Sequence, residues 1–205
     1  FGFVSARPRP IRAFVERTGL PEVLVRDDMA LDEDALRRHF ESRIVGQEEA
    51  VARIAGVVRV LKTGLNDPGK PIATLLFAGP TGVGKTASAK ALADYVYGAG
   101  QRTDPMVRLD MSEFQHPAQI ERLIGSGGEP GKLVQLVRER PFSVVLLDEI
   151  EKAHPVFFDA LMTVLDEGIL ADAFGRTTDF RNAIIILTTN LGARRGASLG
   201  FGHEA

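Results

Sequence analysis

The sequence contains no cysteine. Disulfides and thiolate metal sites are therefore excluded, and this composition is typical of a reducing compartment. It also lacks any apolar run near the roughly 18 residues needed to span a bilayer, and no signal-peptide pattern opens the chain. We expect a cytoplasmic protein with no membrane partner.

An excess of charge of either sign is missing as well. The 25 Lys and Arg residues are nearly balanced by 27 Asp and Glu residues, for a formal net charge of −2 and a pI of about 6.1. No overall field attracts nucleic acid or an anionic membrane. A small basic cluster at Arg7, Arg9 and Arg12 has no interleaved aromatic residues to stack on bases. We expect a solvated tail there and no nucleic-acid partner.

The remaining composition, 44% hydrophobic and 25% charged, is typical of a soluble globular domain. We assign residues 41–205 to one main domain, and residues 1–40 to a linker with a lead-in helix. Residues 1–30 are predicted to be irregular, and 32–43 to form a short polar helix. The breakers in the irregular stretch are Pro8, Pro10, Gly19 and Pro21. The first residue is Phe1, not Met, and we interpret the chain as an excerpt of a longer protein.

Predicted strands and helices alternate along the main domain. Apolar residues at helical spacing from Gln47 predict a helix that ends at Gly64, and Ser112 and Gln115 are spaced for a capping box. Apolar runs without alternation are typical of strands covered on both faces, as in a parallel sheet. These runs lie at 74–78, 143–147 and 183–187, with a less buried strand at 106–110. The pattern predicts a three-layer α/β fold with a mainly parallel sheet.

A glycine-rich motif lies between the first predicted strand and the helix that follows it. It consists of Gly79, Pro80, Thr81, Gly82, Val83, Gly84, Lys85 and Thr86. The glycines let backbone N–H groups point at phosphate oxygens, while Lys85 offers a charge to the β- and γ-phosphates and Thr86 a hydroxyl to Mg²⁺. The alternative is a chance glycine-rich turn. The order strand, turn, helix favours phosphate binding.

Polar residues follow two other predicted strands. Asp148 and Glu149 end an apolar strand, where the first would hold Mg²⁺ and the second would act as general base toward water. The alternative is that both acids only cap the next helix. Asn190 follows the last strand and is our choice to orient the attacking water, with Thr188 or Thr189 as substitutes. An ordinary strand-to-loop asparagine is the alternative reading of Asn190.

Several segments together resemble the second ATPase module of the Clp-type AAA+ unfoldases and disaggregases. The resemblance covers about residues 40–200, and 18–21 look like the segment that joins the two modules of that family. It implies a P-loop NTPase fold, the AAA+ large subdomain, without the helical lid. The segments are 44–47, 79–86, 110–113, 144–155, 175–182 and 188–192.

The resemblance implies roles and partners. ATP and Mg²⁺ are the implied cofactors, with Val45 and Gly46 against adenine. Glu149, Asn190 and Lys85 are the implied catalytic residues, and Thr86 and Asp148 the metal ligands. Family members are hexameric rings that pull polypeptide through a pore, which implies a homo-hexamer acting on protein substrates and leaves a protease partner open.

Two departures from the family limit this carry-over. The family's loop after Gly125 is longer and carries an aromatic residue that grips substrate, whereas 126–131 has none. Arg176, Arg181, Arg194 and Arg195 do not match the family's arginine finger, so we expect this excerpt to bind nucleotide, to hydrolyse it slowly and to form no stable ring. Three functions stay open: an ATP-driven remodeller of proteins, a non-threading AAA+ switch, and a nucleic-acid motor, which the acidic pI disfavours.

Overall fold

The computed structural model describes residues 8–98, 104–126, 129–171 and 175–192. The helices are α1 (Pro8–Thr18), α2 (Glu22–Val25), α3 (Glu33–Glu41), α4 (Glu48–Thr63), α5 (Lys85–Tyr97), α6 (Pro117–Ile124), α7 (Lys132–Glu139) and α8 (Val156–Glu167). The strands are β1 (Ala73–Ala78), β2 (Met106–Asp110), β3 (Gly125–Ser126), β4 (Glu129–Pro130), β5 (Val144–Asp148), β6 (Ile169–Ala171), β7 (Thr177–Asp179) and β8 (Ile184–Thr189). In these ranges no helix is long and apolar enough to cross a membrane.

Four strands form one parallel sheet in the order β1-β8-β5-β2. The register pairs Ala78 with Thr189, and Asp110 with Asp148. All four strands therefore end at the same edge of the sheet. This edge is where open α/β sheets bind ligands.

The sheet is covered on both faces, which makes three layers. Val145 and Leu147 of β5 pack into one core with α6, α7 and α8. Val144 and Leu146 point the other way, into a core with α3, α4 and α5. The predicted three-layer α/β fold with a parallel sheet is confirmed. Because the central strand β5 is buried on both faces, its sequence is continuously apolar up to Leu147 and does not alternate with polar residues.

The amino-terminal stretch differs from the prediction. Residues 1–30 were expected to be irregular, but α1 and α2 occupy most of the described part of this range. Pro8 and Pro10 lie in the first turn of α1, where no intrahelical N–H bond is required of them, so they start a helix instead of breaking one. Arg12 lies on α1, whereas Arg7 falls outside the described residues.

The predicted polar helix at 32–43 is α3, and the Asp32 side chain caps it by accepting from the Ala35 N–H. Leu36 and Phe40 of α3 are fully buried in the core shared with α4 and α5. The lead-in helix is thus packed onto the main domain. The domain division at residue 40 stays a prediction.

The capping box predicted from Ser112 and Gln115 is wrong. Ser112 lies in a short 3₁₀ turn, and the N-cap residue of α6 is His116. The Gln119 side chain accepts from the His116 N–H, 3.0 Å away. The three-residue spacing of a capping box is present, but it starts four residues later.

A two-stranded hairpin, β3–β4, joins α6 to α7. Its base is closed by a close approach of backbones. A Cβ atom on Gly131 would lie 2.3 Å from both the Gly125 nitrogen and the Leu123 oxygen. Only glycine fits there, so the base of the hairpin is a fixed part of the fold.

Gly131→Ala is expected to lower the free energy of unfolding by about 1–3 kcal/mol, the range for forced overpacking. Gly56→Ala is the matched control, because no atom lies within 4 Å of its added methyl group and alanine favours a helix over glycine by about 1 kcal/mol. Urea denaturation of both variants measures the difference. Equal stabilities would contradict the close approach at Gly131.

Candidate functional site

A polar cavity of about 320 Å³ opens at the carboxyl edge of the parallel sheet. Each of the four strands or the turn after it contributes to its wall. The residues that line it are Thr81, Gly82, Gly84, Lys85, Thr86, Ala87, Arg108, Asp148, Glu149 and Asn190. The structure thus brings the motif after β1 together with the acids of β5 and the asparagine after β8.

The turn after β1 has the backbone that an anion nest needs. Gly82 and Gly84 have φ angles of 88° and 96°, a region that residues with side chains rarely enter. Helix α5 begins at Lys85, directly after this turn. Its first N–H groups and the positive end of its dipole therefore face the cavity, as in phosphate-binding helices.

The Lys85 ammonium group has three acceptors in this structure. Its Nζ donates to the carbonyl oxygens of Gly79 and Pro80, at 2.6 and 3.0 Å. It also donates to Oδ1 of Asn190, at 2.8 Å. The lysine therefore connects the glycine-rich turn to the end of β8.

Asn190 is the point where the groups of the cavity meet. Its Nδ2 donates to Oε1 of Glu149 at 3.1 Å, while its Oδ1 accepts from Lys85. The cation and the carboxylate determine the orientation of the amide, because only the oxygen can accept and only the nitrogen can donate. A single side chain thus contacts both Lys85 and Glu149.

Asp148 is 8% exposed, and both of its oxygens have partners. Oδ1 accepts from the Thr188 hydroxyl at 2.5 Å, and Oδ2 accepts from the Arg108 guanidinium at 2.6 Å. The Thr188 oxygen also accepts from the Glu149 N–H at 3.0 Å. Thr188 therefore fixes the two acids relative to each other.

Glu149 has a left-handed backbone, with φ 56° and ψ 52°, and among the described residues no other non-glycine residue has positive φ. This conformation turns the chain sharply after the buried strand. Backbones of this kind in residues with side chains concentrate at functional sites. The turn directs the Glu149 carboxylate toward Asn190 and the cavity.

Two further acids near this edge are held ionised. Burial disfavours the charged form of Glu151, but hydrogen bonds from backbone N–H groups, including that of Asn190, and from the Thr189 hydroxyl outweigh it and hold the Glu151 pKa below its ordinary value. Hydrogen bonds from Ser112 lower the pKa of Asp110. Glu151 supports the site, because its Oε1 accepts from the Asn190 backbone N–H at 3.1 Å.

The donor set fits Mg²⁺ bound together with phosphates. Thr86 and Asp148 line the same cavity, and within the described ranges no group of three or more His, Asp or Glu side chains could hold a metal by itself. Mg²⁺ usually takes one or two protein ligands and completes its shell with water and phosphate oxygens. One hydroxyl and one carboxylate are sufficient for that arrangement.

Some predicted residues do not line this cavity. Val45 is 86% exposed and lies with Gly46 in the turn between α3 and α4. The next residue, Gln47, lines a second cavity of about 490 Å³ that shares Lys85 with the first. The contact of Val45 and Gly46 with adenine stays a prediction.

Of the four arginines that do not match the arginine-finger motif, two lie in the part of the chain that the structure describes. Arg181 is used inside the fold, where its guanidinium donates to the carbonyl oxygens of Gly69 and Glu167. Arg176 lies just before β7 and does not line the cavity. Arg194 and Arg195 lie outside the described residues.

Two residues around the site, Arg108 and Glu151, are not identified by the sequence motifs. The sequence does contain one indication of Arg108. It is a charged residue in the middle of strand β2, between the apolar residues Val107 and Leu109, which are buried. A polar residue on a strand next to β5 can reach the same edge of the sheet.

Comparison with known proteins gives consistent matches. A family model described as an AAA domain of the Cdc48 subfamily matches residues 70–199. The chain is 49% identical over 183 residues to the chaperone protein ClpC4, chloroplastic, of Oryza sativa subsp. japonica, covering 86% of this chain and 20% of that protein. It is 45% identical over 185 residues to the chaperone protein ClpB of Aquifex aeolicus, covering 87% of this chain and 18% of that protein.

The ClpA homologue of Trieres chinensis, an ATP-binding subunit of the ATP-dependent Clp protease, is 44% identical over 183 residues, covering 86% of this chain and 20% of that protein. The chain spans about a fifth of the length of the curated relatives it matches. The family model and these identities agree with the fold and with the motifs around the cavity. The chain belongs to the AAA domain family of the Cdc48 subfamily and is a Clp-type AAA+ ATPase domain.

Proposed function

We propose that the cavity binds Mg-ATP and hydrolyses it, and that the protein uses this hydrolysis to remodel or unfold protein substrates. The observation that carries the proposal is the path Lys85–Asn190–Glu149, which runs beside Asp148 in one cavity. A phosphate-binding lysine and a general base are joined through one amide. That arrangement serves a reaction at the end of a phosphate chain.

The chain's own residues have distinct tasks in this proposal. The backbone N–H groups of the glycine-rich turn and the Lys85 ammonium bind the phosphates. Thr86 and Asp148 hold Mg²⁺, which offsets the charge of the phosphate oxygens. Glu149 accepts a proton from the attacking water, and Asn190 orients that water.

The activity of the whole protein is proposed from its relatives. Two of them are named chaperones and one an ATP-binding subunit of a protease. We therefore propose protein substrates, with a protease partner as one option. A homo-hexameric assembly is proposed from the resemblance to the Clp-type family. A cytoplasmic location is proposed from the composition, with an organelle as the alternative because one relative is named chloroplastic. A protein substrate also agrees with the balanced charge of the sequence, which gives nucleic acid no general attraction.

The test uses the full-length protein that contains this chain. ATP is expected to cause loss of fluorescence from a tagged, folded fluorescent protein, because unfolding destroys its chromophore environment. The control is the full-length ATPase with the substitution Glu149→Gln, which should leave the fluorescence of the reporter constant. Loss of fluorescence that proceeds equally without ATP would contradict ATP-driven remodelling.

One observation favours a second function, a non-threading AAA+ module whose ATP state switches assembly or a partner interaction. The hairpin β3–β4 is short, its base is closed at Gly131, and 125–131 contains no aromatic residue. A loop without an aromatic side chain offers little contact area for gripping a polypeptide.

Insertion of a tyrosine-containing segment between 127 and 128 separates the two functions. The hairpin base remains unchanged, because the insertion lies beyond the paired residues. If threading is limited by grip, the inserted protein should unfold the fluorescent reporter at least several times faster. An insertion of equal length with serine in place of tyrosine is the control, and equal rates for both would favour the switch.

A further inference from the structure

We propose that Arg108 competes with Mg²⁺ for Asp148 and holds this carboxylate until the metal binds. The inference rests on the proposed role of Asp148 as a Mg²⁺ ligand. It assigns Arg108 as a positioning residue that sets the Mg²⁺ concentration needed at this site.

The two oxygens of Asp148 differ in their partners. Oδ1 accepts from the hydroxyl of Thr188, which is fully buried. Oδ2 accepts from Arg108, which lines the cavity. Since Oδ1 is occupied by a buried residue of the adjacent strand, Oδ2 is the oxygen that a metal in the cavity can take. The guanidinium and Mg²⁺ are both cations and repel each other at this one oxygen, so the metal competes with Arg108 there.

Arg108 is able to leave. Its side chain is 52% exposed, whereas that of Asp148 is 11% exposed, so the guanidinium can swing away without breaking a packed core. Backbone hydrogen bonds of β2 and β5 keep the position of Asp148 fixed. The ion pair is therefore mobile on the arginine side only.

A purely structural ion pair would have different consequences. Half-exposed ion pairs contribute little to stability, so loss of the guanidinium should then change neither the fold nor metal dependence. Competition with Mg²⁺ predicts a specific shift in metal dependence instead.

The experiment measures the binding of a fluorescent ATP analogue at fixed concentration while Mg²⁺ is titrated. Arg108→Gln is expected to lower the half-saturating Mg²⁺ concentration by about two- to fivefold, the range for a half-exposed ion pair, since the competing cation is absent. Arg108→Lys should fall between the parent and the glutamine variant. Arg122→Gln, an equal charge change on the exposed surface of α6, is the matched control and should keep the parent value.

An unchanged or raised half-saturating concentration in Arg108→Gln would overturn the inference. Asp148→Asn separates that failure from failure of the proposed function. If Asp148→Asn abolishes the Mg²⁺ dependence while Arg108→Gln matches the parent, only the inference fails. If Asp148→Asn keeps the parent's Mg²⁺ dependence, the proposed role of Asp148 as metal ligand fails. Circular dichroism spectra confirm that each variant is folded.

Discussion

Glu149→Gln is expected to lower the rate of ATP hydrolysis by about 10²–10⁴-fold, the usual contribution of a general base. Glutamine has nearly the same size, and its amide oxygen can still accept from Asn190 Nδ2, as the carboxylate does at 3.1 Å. It cannot accept a proton from water. The variant should therefore keep the geometry of the cavity and lose only the chemical step.

The measurement combines phosphate release with equilibrium binding of Mg-ATP. The affinity of Glu149→Gln should stay within about threefold of the parent, because the proposed role of Glu149 is toward the attacking water in the transition state and not toward the bound phosphates. Glu121→Gln, an exposed glutamate on α6, is the control with the same change of charge. Hydrolysis at the parent rate would remove Glu149 from the role of base.

Lys85→Ala is expected to weaken Mg-ATP binding by about two orders of magnitude. Loss of a charge-assisted hydrogen bond costs about 3 kcal/mol at most, which is about a hundredfold in affinity. Lys85 also donates to the carbonyl oxygens of Gly79 and Pro80, so the variant leaves these acceptors to water and loosens the glycine-rich turn. Both effects act in the same direction.

Lys90→Ala is the matched control, because Lys90 is an exposed lysine on the same helix and does not line the cavity. Isothermal titration of each variant with Mg-ATP gives the affinities. Lys90→Ala should bind as the parent does. Should Lys85→Ala retain the parent affinity, phosphate binding by this turn would be refuted. Thermal unfolding of both variants shows whether the fold is intact.

The sheet could be predicted from sequence because its two central strands, β5 and β8, are buried on both faces. The runs at 143–147 and 183–187 contain almost no polar residues, and this is the pattern of central parallel strands. Strand β1 is an edge strand with alternating burial, yet its apolar sequence still reads as a strand. The predicted meeting of Lys85, Glu149 and Asn190 follows from the same fact, since parallel strands end at one edge of a sheet.

Features that depend on tertiary contacts could not be predicted in this way. The helix at Pro8–Thr18 was missed because proline was interpreted as a breaker, although it is compatible with a first turn. The pairing of Arg108 with Asp148 joins two strands 40 residues apart, and no local pattern encodes it. The same is true of the hydrogen bond between Glu151 and the Asn190 backbone.

The left-handed backbone at Glu149 lowers the stability of the fold at a residue that the proposed reaction requires. A residue with a side chain in this region raises the energy of the folded state by about 1–2 kcal/mol, whereas glycine enters it freely. Selection for a more stable fold alone would favour glycine at this position. Glutamate at this position therefore lowers the protein's resistance to unfolding, and the same strained turn directs its carboxylate to Asn190 and the cavity.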